Sequence, residues 1–277
     1  MEDTQPVQPH EFERRFSEVL AATEETVWRA NIATERVLLP GVKRNSMPQM
    51  PVWRLHLGAT STFLGVIQCL KTRYSSLGAF SLLRGVLEAW THLYFISDES
   101  ESDTPALRSI RFEAGVLSEW ASVSKKMNPS LDYDEIMKRH HRTIMELWSE
   151  NGGRGEPRLR TYNDVIPTLV RMSKSPALQR MDLLHKASSV AVHMSASDFL
   201  MESTGTGVTV VWASEGRRCA WLQLGIMCFD FLTMSALCSV PSAESDATIS
   251  DLHTRWQVIY RNPIFTTAVL EEGETDR

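Results

Sequence analysis

Along most of the chain, apolar residues recur every three or four positions, the spacing of one helix face. In residues 10–39, Phe12, Phe16, Val19, Leu20 and Thr23 follow this spacing with Glu and Arg between them. This predicts an amphipathic helix ended by Pro40-Gly41. The same periodicity predicts helices over 52–74 and 77–97, parted by Ser-Ser-Leu-Gly. The acidic stretch 98–105 closes with helix-start chemistry: Asp103 or Thr104 as N-cap, then Pro105 in the first turn. A helix over 105–127 follows, broken by Asn128-Pro129-Ser130, and another over 132–150. The segment NGGRGEPRLR (151–160) reads as a solvated linker, with a mobile basic segment touching an anion as its functional alternative. Helices over 161–174, kinked or started late by Pro167, and over 176–195 come next. STGTGVTVVW (203–212) predicts a loop leading into one short extended segment. A helix over 214–240, a polar break and a last helix over 248–261 complete the series. Nine helices without βαβ alternation predict an all-α, bundle-like single domain over 10–262. A disordered N-terminus (1–9) and a frayed acidic tail (263–277) flank it.

Two of these helices are apolar on nearly every side, the mark of a buried helix. In 77–97 only Ser81, Arg84, Glu88 and His92 interrupt the apolar surface, and they share one stripe because steps of three and four return to the same face. Arg84 and Glu88 therefore pair at i,i+4, and the sequence predicts that pair inside the bundle. A buried ion pair adds little stability over apolar residues of the same volume, so its presence points either to packing specificity or to a polar site. The other apolar stretch, Cys219–Val240, is long enough to cross a bilayer. Asp230 at its middle, with Gln223, Thr233 and Ser235, argues for a core helix instead. Membrane association through 219–240 is kept as a second alternative.

The predicted helix 176–195 carries a matching polar stripe, Asp182, His185, Ser189 and His193. It faces either water or the Arg84–Glu88 pair. In the second case a Ser-x-x-x-His spacing brings a hydroxyl and an imidazole to one face. On helix 105–127, Arg108, Arg111, Glu119 and Ser122 share a side, and Arg111 either extends the cluster or faces solvent. Arg84, Glu88, Ser189, His193 and Arg111 are thus the candidate ligand-binding residues. His193, His185 and Arg84 are the candidates for catalysis. Arg139-His140-His141-Arg142 reads as an exposed basic turn, since adjacent imidazoles diverge by about 100° and make poor co-ligands for one metal. Seven tryptophans, at 28, 53, 90, 120, 148, 221 and 256, sit in predicted helices and are assigned to the core.

LLRGVLEAWTHLYFI (82–96), followed by LLHKASSVAVHMS (183–195), resembles a pattern in all-helical bacterial proteins built around a domain of unknown function. Those families pair an Arg-x-x-x-Glu on an apolar helix with a Ser-x-x-x-His on a later one. Here the matching residues are Arg84, Glu88, Ser189 and His193; His185 stands where the family often has Tyr. A looser resemblance is to HEPN-type helical proteins, many of them ribonucleases of defence and toxin systems, whose Arg-x(4–6)-His signature is matched by Arg180 and His185. That resemblance implies a metal-independent endoribonuclease, with His193 or His185 as general base and Arg84 or Arg180 holding the phosphate. Arg180, however, lies on the opposite side of the predicted helix from His185.

Composition narrows the choice. The chain has 277 residues, is 43% hydrophobic and carries net charge -5. Intrinsic disorder and disulfide scaffolds are excluded. The acidic balance argues against a nucleic-acid partner, whose binders carry basic faces. Four scattered cysteines without a Cys-x-x-Cys read as buried thiols of a cytoplasmic protein. No cofactor fingerprint, metal-ligand spacing or signal peptide is found, and a homo-oligomer is left open. The leading expectation is a helical protein with a buried Arg/Glu/His cluster that binds a small ligand or a partner.

Overall fold

A computed structural model describes residues 9–44, 46–72, 76–97, 103–127, 132–157, 201–204, 207–210 and 215–265. The protein is all-α in character. Among the described residues there are seven helices and one small hairpin: α1 (Pro9–Val42), α2 (Gln49–Leu70), α3 (Ser76–Ser97), α4 (Pro105–Met127), α5 (Tyr133–Glu150), β1 (Met201–Thr204), β2 (Gly207–Val210), α6 (Glu215–Cys238) and α7 (Ala243–Tyr260). The helices expected over 161–174 and 176–195 lie outside the described residues. Where one extended segment was expected near 203–212, β1 and β2 pair antiparallel, with Met201 opposite Val210 and Thr204 opposite Gly207.

Several boundaries follow from capping. Asp132 accepts from the Glu135 amide and starts α5. Ser242 accepts from the Ser245 amide and starts α7, five residues before the expected start, so most of the polar break is itself helical. Pro40 does not end α1, which runs on to Val42. The Lys43 amide still bonds the Leu39 carbonyl at 2.9 Å, so the proline removes one donor without breaking the path of the chain. The turn closes just beyond it, where the Ser46 amide reaches the Gly41 carbonyl at 3.0 Å. Gly41 is needed there because a Cβ would overlap the Gln49 side chain.

α2 and α3 pack side by side, and α6 packs against both. α1 covers α2 and meets α7, which folds back on α6. The main core collects Phe16, Leu20, Leu38, Phe63, Ile67, Leu83, Leu87, Leu222, Ile226, Phe229 and Trp256, all essentially inaccessible. Gly225 lets α6 come close, since a Cβ there would overlap the Phe63 ring and press on Leu83. Phe229 sits at the centre, 5.2 Å from Phe63 in a stacked arrangement and 6.3 Å from Trp256 edge-on. α6 is the one described helix long and apolar enough to cross a membrane, and most of that stretch is buried against α1, α2, α3 and α7.

α4 and α5 make a second, smaller layer with its own core of Leu107, Ile110, Ala114, Ile144 and Trp148. Two sequence expectations fail on exposure. Trp28 and Trp120 are half exposed. Cys238 is exposed and Cys69 only half-buried, while Cys219 and Cys228 are buried as expected. Cys238 is the last residue of α6, and it turns outward between the buried Leu237 and Ser239.

Candidate functional site

α3 owes its position to the aliphatic residues away from the polar stripe: Leu83, Val86, Leu87 and Leu93 are buried and fix the helix against α2 and α6. This holds Ser81, Arg84, Glu88 and His92 along one line. Arg84 Nε donates to Glu88 Oε1 at 2.8 Å, the i,i+4 pair that the spacing predicts. The pair is not sealed in the bundle as expected: the two side chains keep 31% and 33% of their exposure. The reason is local. Gly85, beside the stripe on α3, is itself exposed, so the stripe lies at the rim of the core. Among the described residues, Arg84 is bonded through Nε alone.

His92, one turn further, is different. Its ring lies 4.7 Å from Phe112 of α4. Burial pushes its pKa down to about 4, against the opposing pull of the Glu88 charge. At neutral pH the stripe therefore presents a cation, an anion and a neutral imidazole within three turns of helix.

Arg111 takes neither place that the sequence offered it. Its Nη1 meets Asp103 Oδ2 at 2.7 Å, its guanidinium covers the Trp148 ring at 5.4 Å, and its Nε is buried without a partner. Those contacts belong to the α4–α5 layer rather than to the Arg84–Glu88 pair. Ser189, His193, His185 and Arg180 lie outside the described residues.

Sequence reasoning missed three buried polar groups. Arg218, at the start of α6, is 1% exposed. It donates to Glu13 Oε1 at 2.7 Å and to the Leu70 carbonyl at 2.8 Å, and its guanidinium lies 4.6 Å from the Phe16 ring centre. It thereby ties α1, the C-terminus of α2 and α6 together. Arg108, also 1% exposed, donates through Nε and Nη2 to the Ile96 carbonyl at 3.0 and 2.8 Å and through Nη1 to the Asp103 carbonyl, closing the end of α3. The third group lies along α6. Asp230 Oδ2 is 3.3 Å from His253 Nδ1, and His56 Nε2 is 3.2 Å from Thr233 Oγ1. Burial raises the Asp230 pKa against the influence of His253. Asp230 and Cys228 in turn add to the burial that raises the Tyr260 hydroxyl. Asp230 and Thr233 interrupting an apolar run were the sequence signals for this group. Among the described residues, no three His, Cys, Asp or Glu side chains converge as a metal set would.

His56 gives a pH prediction. It is fully buried, and burial alone lowers its pKa from 6.5 to about 4. The unfolded chain then binds the proton before the folded one does, so stability is lost as pH falls from 6.5 towards 4. The full shift corresponds to about 3 kcal/mol. His92 acts in the same direction. Asp230 and Glu113, whose folded values are raised, act oppositely in the carboxylate range. Urea titrations at pH 7 and 4.5 on wild type and His56→Leu isolate the term: the variant's loss is smaller by about 2 kcal/mol. Equal losses in both proteins would show that His56 takes up no proton on unfolding.

No family model matches the chain, and no curated protein or solved structure matches it.

Proposed function

We propose that the protein is a helical binding protein whose α3 stripe holds an oxyanion, a carboxylate or a phosphate, carried by a small ligand or a partner. The observation that carries this reading is the Arg84–Glu88 geometry. A guanidinium fixed at Nε by a carboxylate on its own helix is pre-oriented, and its two terminal nitrogens form the fork that planar oxyanions match. Its partial exposure leaves that fork within reach of a solute. His92, held neutral, adds a hydrogen-bonding group without a second charge. In the fuller form of this proposal, Ser189 and His193 complete the site from the predicted helix 176–195, in the cytoplasm. Membrane association through 219–240 stays a separate reading, and solubility without detergent is its test.

The test is thermal. Phosphate or acetate at tens of millimolar, against chloride at equal ionic strength, raises the melting temperature of wild type, because a ligand that binds only the folded state stabilises it by mass action. Arg84→Gln abolishes the increment and leaves the melting temperature in chloride nearly unchanged, since a half-exposed ion pair is worth under about 1 kcal/mol. The same increment in both proteins overturns the reading. If the oxyanion is an RNA phosphodiester, purified protein also cleaves RNA, and His193→Ala or His185→Ala removes that cleavage; retained cleavage in both variants rejects the HEPN-type ribonuclease form of the proposal.

A further inference from the structure

The glycine-rich segment after α5, read from sequence as a solvated linker, is a built turn over its described part. Asn151 caps α5 through the Leu147 carbonyl. Gly152 and Gly155 take positive φ of 84° and 65°, which a side chain would resist. The Gly153 amide bonds the Trp148 carbonyl at 2.8 Å, and a Cβ on Gly153 would overlap the Trp148 indole. Trp148 Nε1 reaches back to the Arg154 carbonyl at 3.4 Å. All three glycines are thus used to fold the chain back along α5, and the turn delivers Glu156 and Pro157 to the wall of a cavity between α4 and α5.

That cavity has a volume of about 250 Å³. Its apolar wall is Ala114 and Leu117 of α4, Met137 and Ile144 of α5, and Pro157; its polar groups are Ser118, His140, His141 and Glu156. The basic residues of the same stretch do not share it. Met137, His140, His141 and Ile144 fall within about 100° of one another around α5, while Lys138, Arg139 and Arg142 lie on the other sides, exposed. Among the described residues, Glu156 is therefore the one formal charge in the lining. An apolar cavity of about 150 Å³ admits benzene, so this one has room for a single ring and a short substituent.

We propose that the α4–α5 cavity is a second ligand site, distinct from the α3 stripe, that takes a small aromatic or aliphatic amine. The apolar part rests on Leu117, Met137, Ile144 and Pro157, and the ammonium group meets Glu156 with the imidazoles of His140 and His141 as further acceptors.

Three probes of one shape and different charge test this in the full chain: 2-phenylethylamine, 2-phenylethanol and 3-phenylpropionate, followed by calorimetry and by the histidine ring signals in NMR. The amine binds saturably, shifts the His140 and His141 signals, and binds about tenfold tighter than the acid, the worth of one charge-assisted contact. Glu156→Gln, a conservative change in a surface turn, brings amine and alcohol to equal affinity. Leu117→Trp fills the cavity and removes binding of all three; should that variant fold poorly, the Glu156→Gln comparison decides alone. Arg84→Gln leaves amine binding unchanged, which separates this site from the oxyanion site. Absence of saturable amine binding, equal or tighter binding of the acid, or an amine preference that survives Glu156→Gln overturns the proposal.

Discussion

Phe229→Ala lowers the unfolding free energy by about 4 kcal/mol. Phe229 is wholly buried and is the hub of the aromatic cluster, touching Phe63 and His56 of α2 and Trp256 of α7. Truncation removes a ring's transfer free energy and leaves a cavity whose walls come from three helices. Those walls cannot close together, because Gly225 already sets α6 against Phe63 at contact distance. A domain of ordinary stability holds about 5–15 kcal/mol, so the loss is a large fraction of the whole. Urea unfolding at pH 7 measures it, with the slope of the transition as a control for a changed unfolded state. A loss under about 1 kcal/mol would mean that Phe229 does not hold the three helices together.

Glu13→Ala is expected to cost roughly 2 to 3 kcal/mol, far more than a surface ion pair is worth. Glu13 itself is 38% exposed and readily resolvated, so the penalty falls on its partner. Arg218 stays buried and, among the described residues, keeps the Leu70 carbonyl and the faces of Phe12 and Phe16 as compensation. The decisive comparison is the double variant Glu13→Ala/Arg218→Met. Removing the cation as well restores part of the loss, because an apolar side chain of similar volume tolerates the site better than an orphaned guanidinium. If the double variant is less stable than Glu13→Ala by the full cost of Arg218→Met measured alone, the two residues are not coupled and the pair carries no net stability.

These two sites also mark how much the sequence discloses. Periodicity located α4 and α5 almost to the residue, and the i,i+4 rule found the Arg84–Glu88 bond, because both are properties of one helix. The same wheel could not decide whether that bond lies inside the bundle or at its rim, since this depends on what stands beside Gly85. Arg108 was read only as one of a row with Arg111, Glu119 and Ser122, and the burial of Arg218 left no mark in the pattern. Part of what holds them, the Ile96 and Leu70 carbonyls, consists of backbone groups left open only where another helix ends. No side-chain pattern encodes such a partner. Pro40 misled for a related reason: its rule concerns one lost hydrogen bond, and here the neighbouring amides keep theirs. The glycines of 151–155 were seen, but their use was not, because it rests on the indole of Trp148 lying under Gly153.

The central place of α6 has a consequence in time. It is the helix on which α1, α2, α3 and α7 all converge, yet it is encoded after residue 214. On the ribosome, the apolar faces of α1, α2 and α3 emerge long before their common neighbour does. Contacts separated by 150 or more residues carry a large loop-closure cost and form late. A nascent chain therefore leaves the faces of α1, α2 and α3 that α6 covers without their neighbour while more than a hundred further residues are made. The order of synthesis, rather than the final stability, makes this fold dependent on protection from aggregation while it is being made.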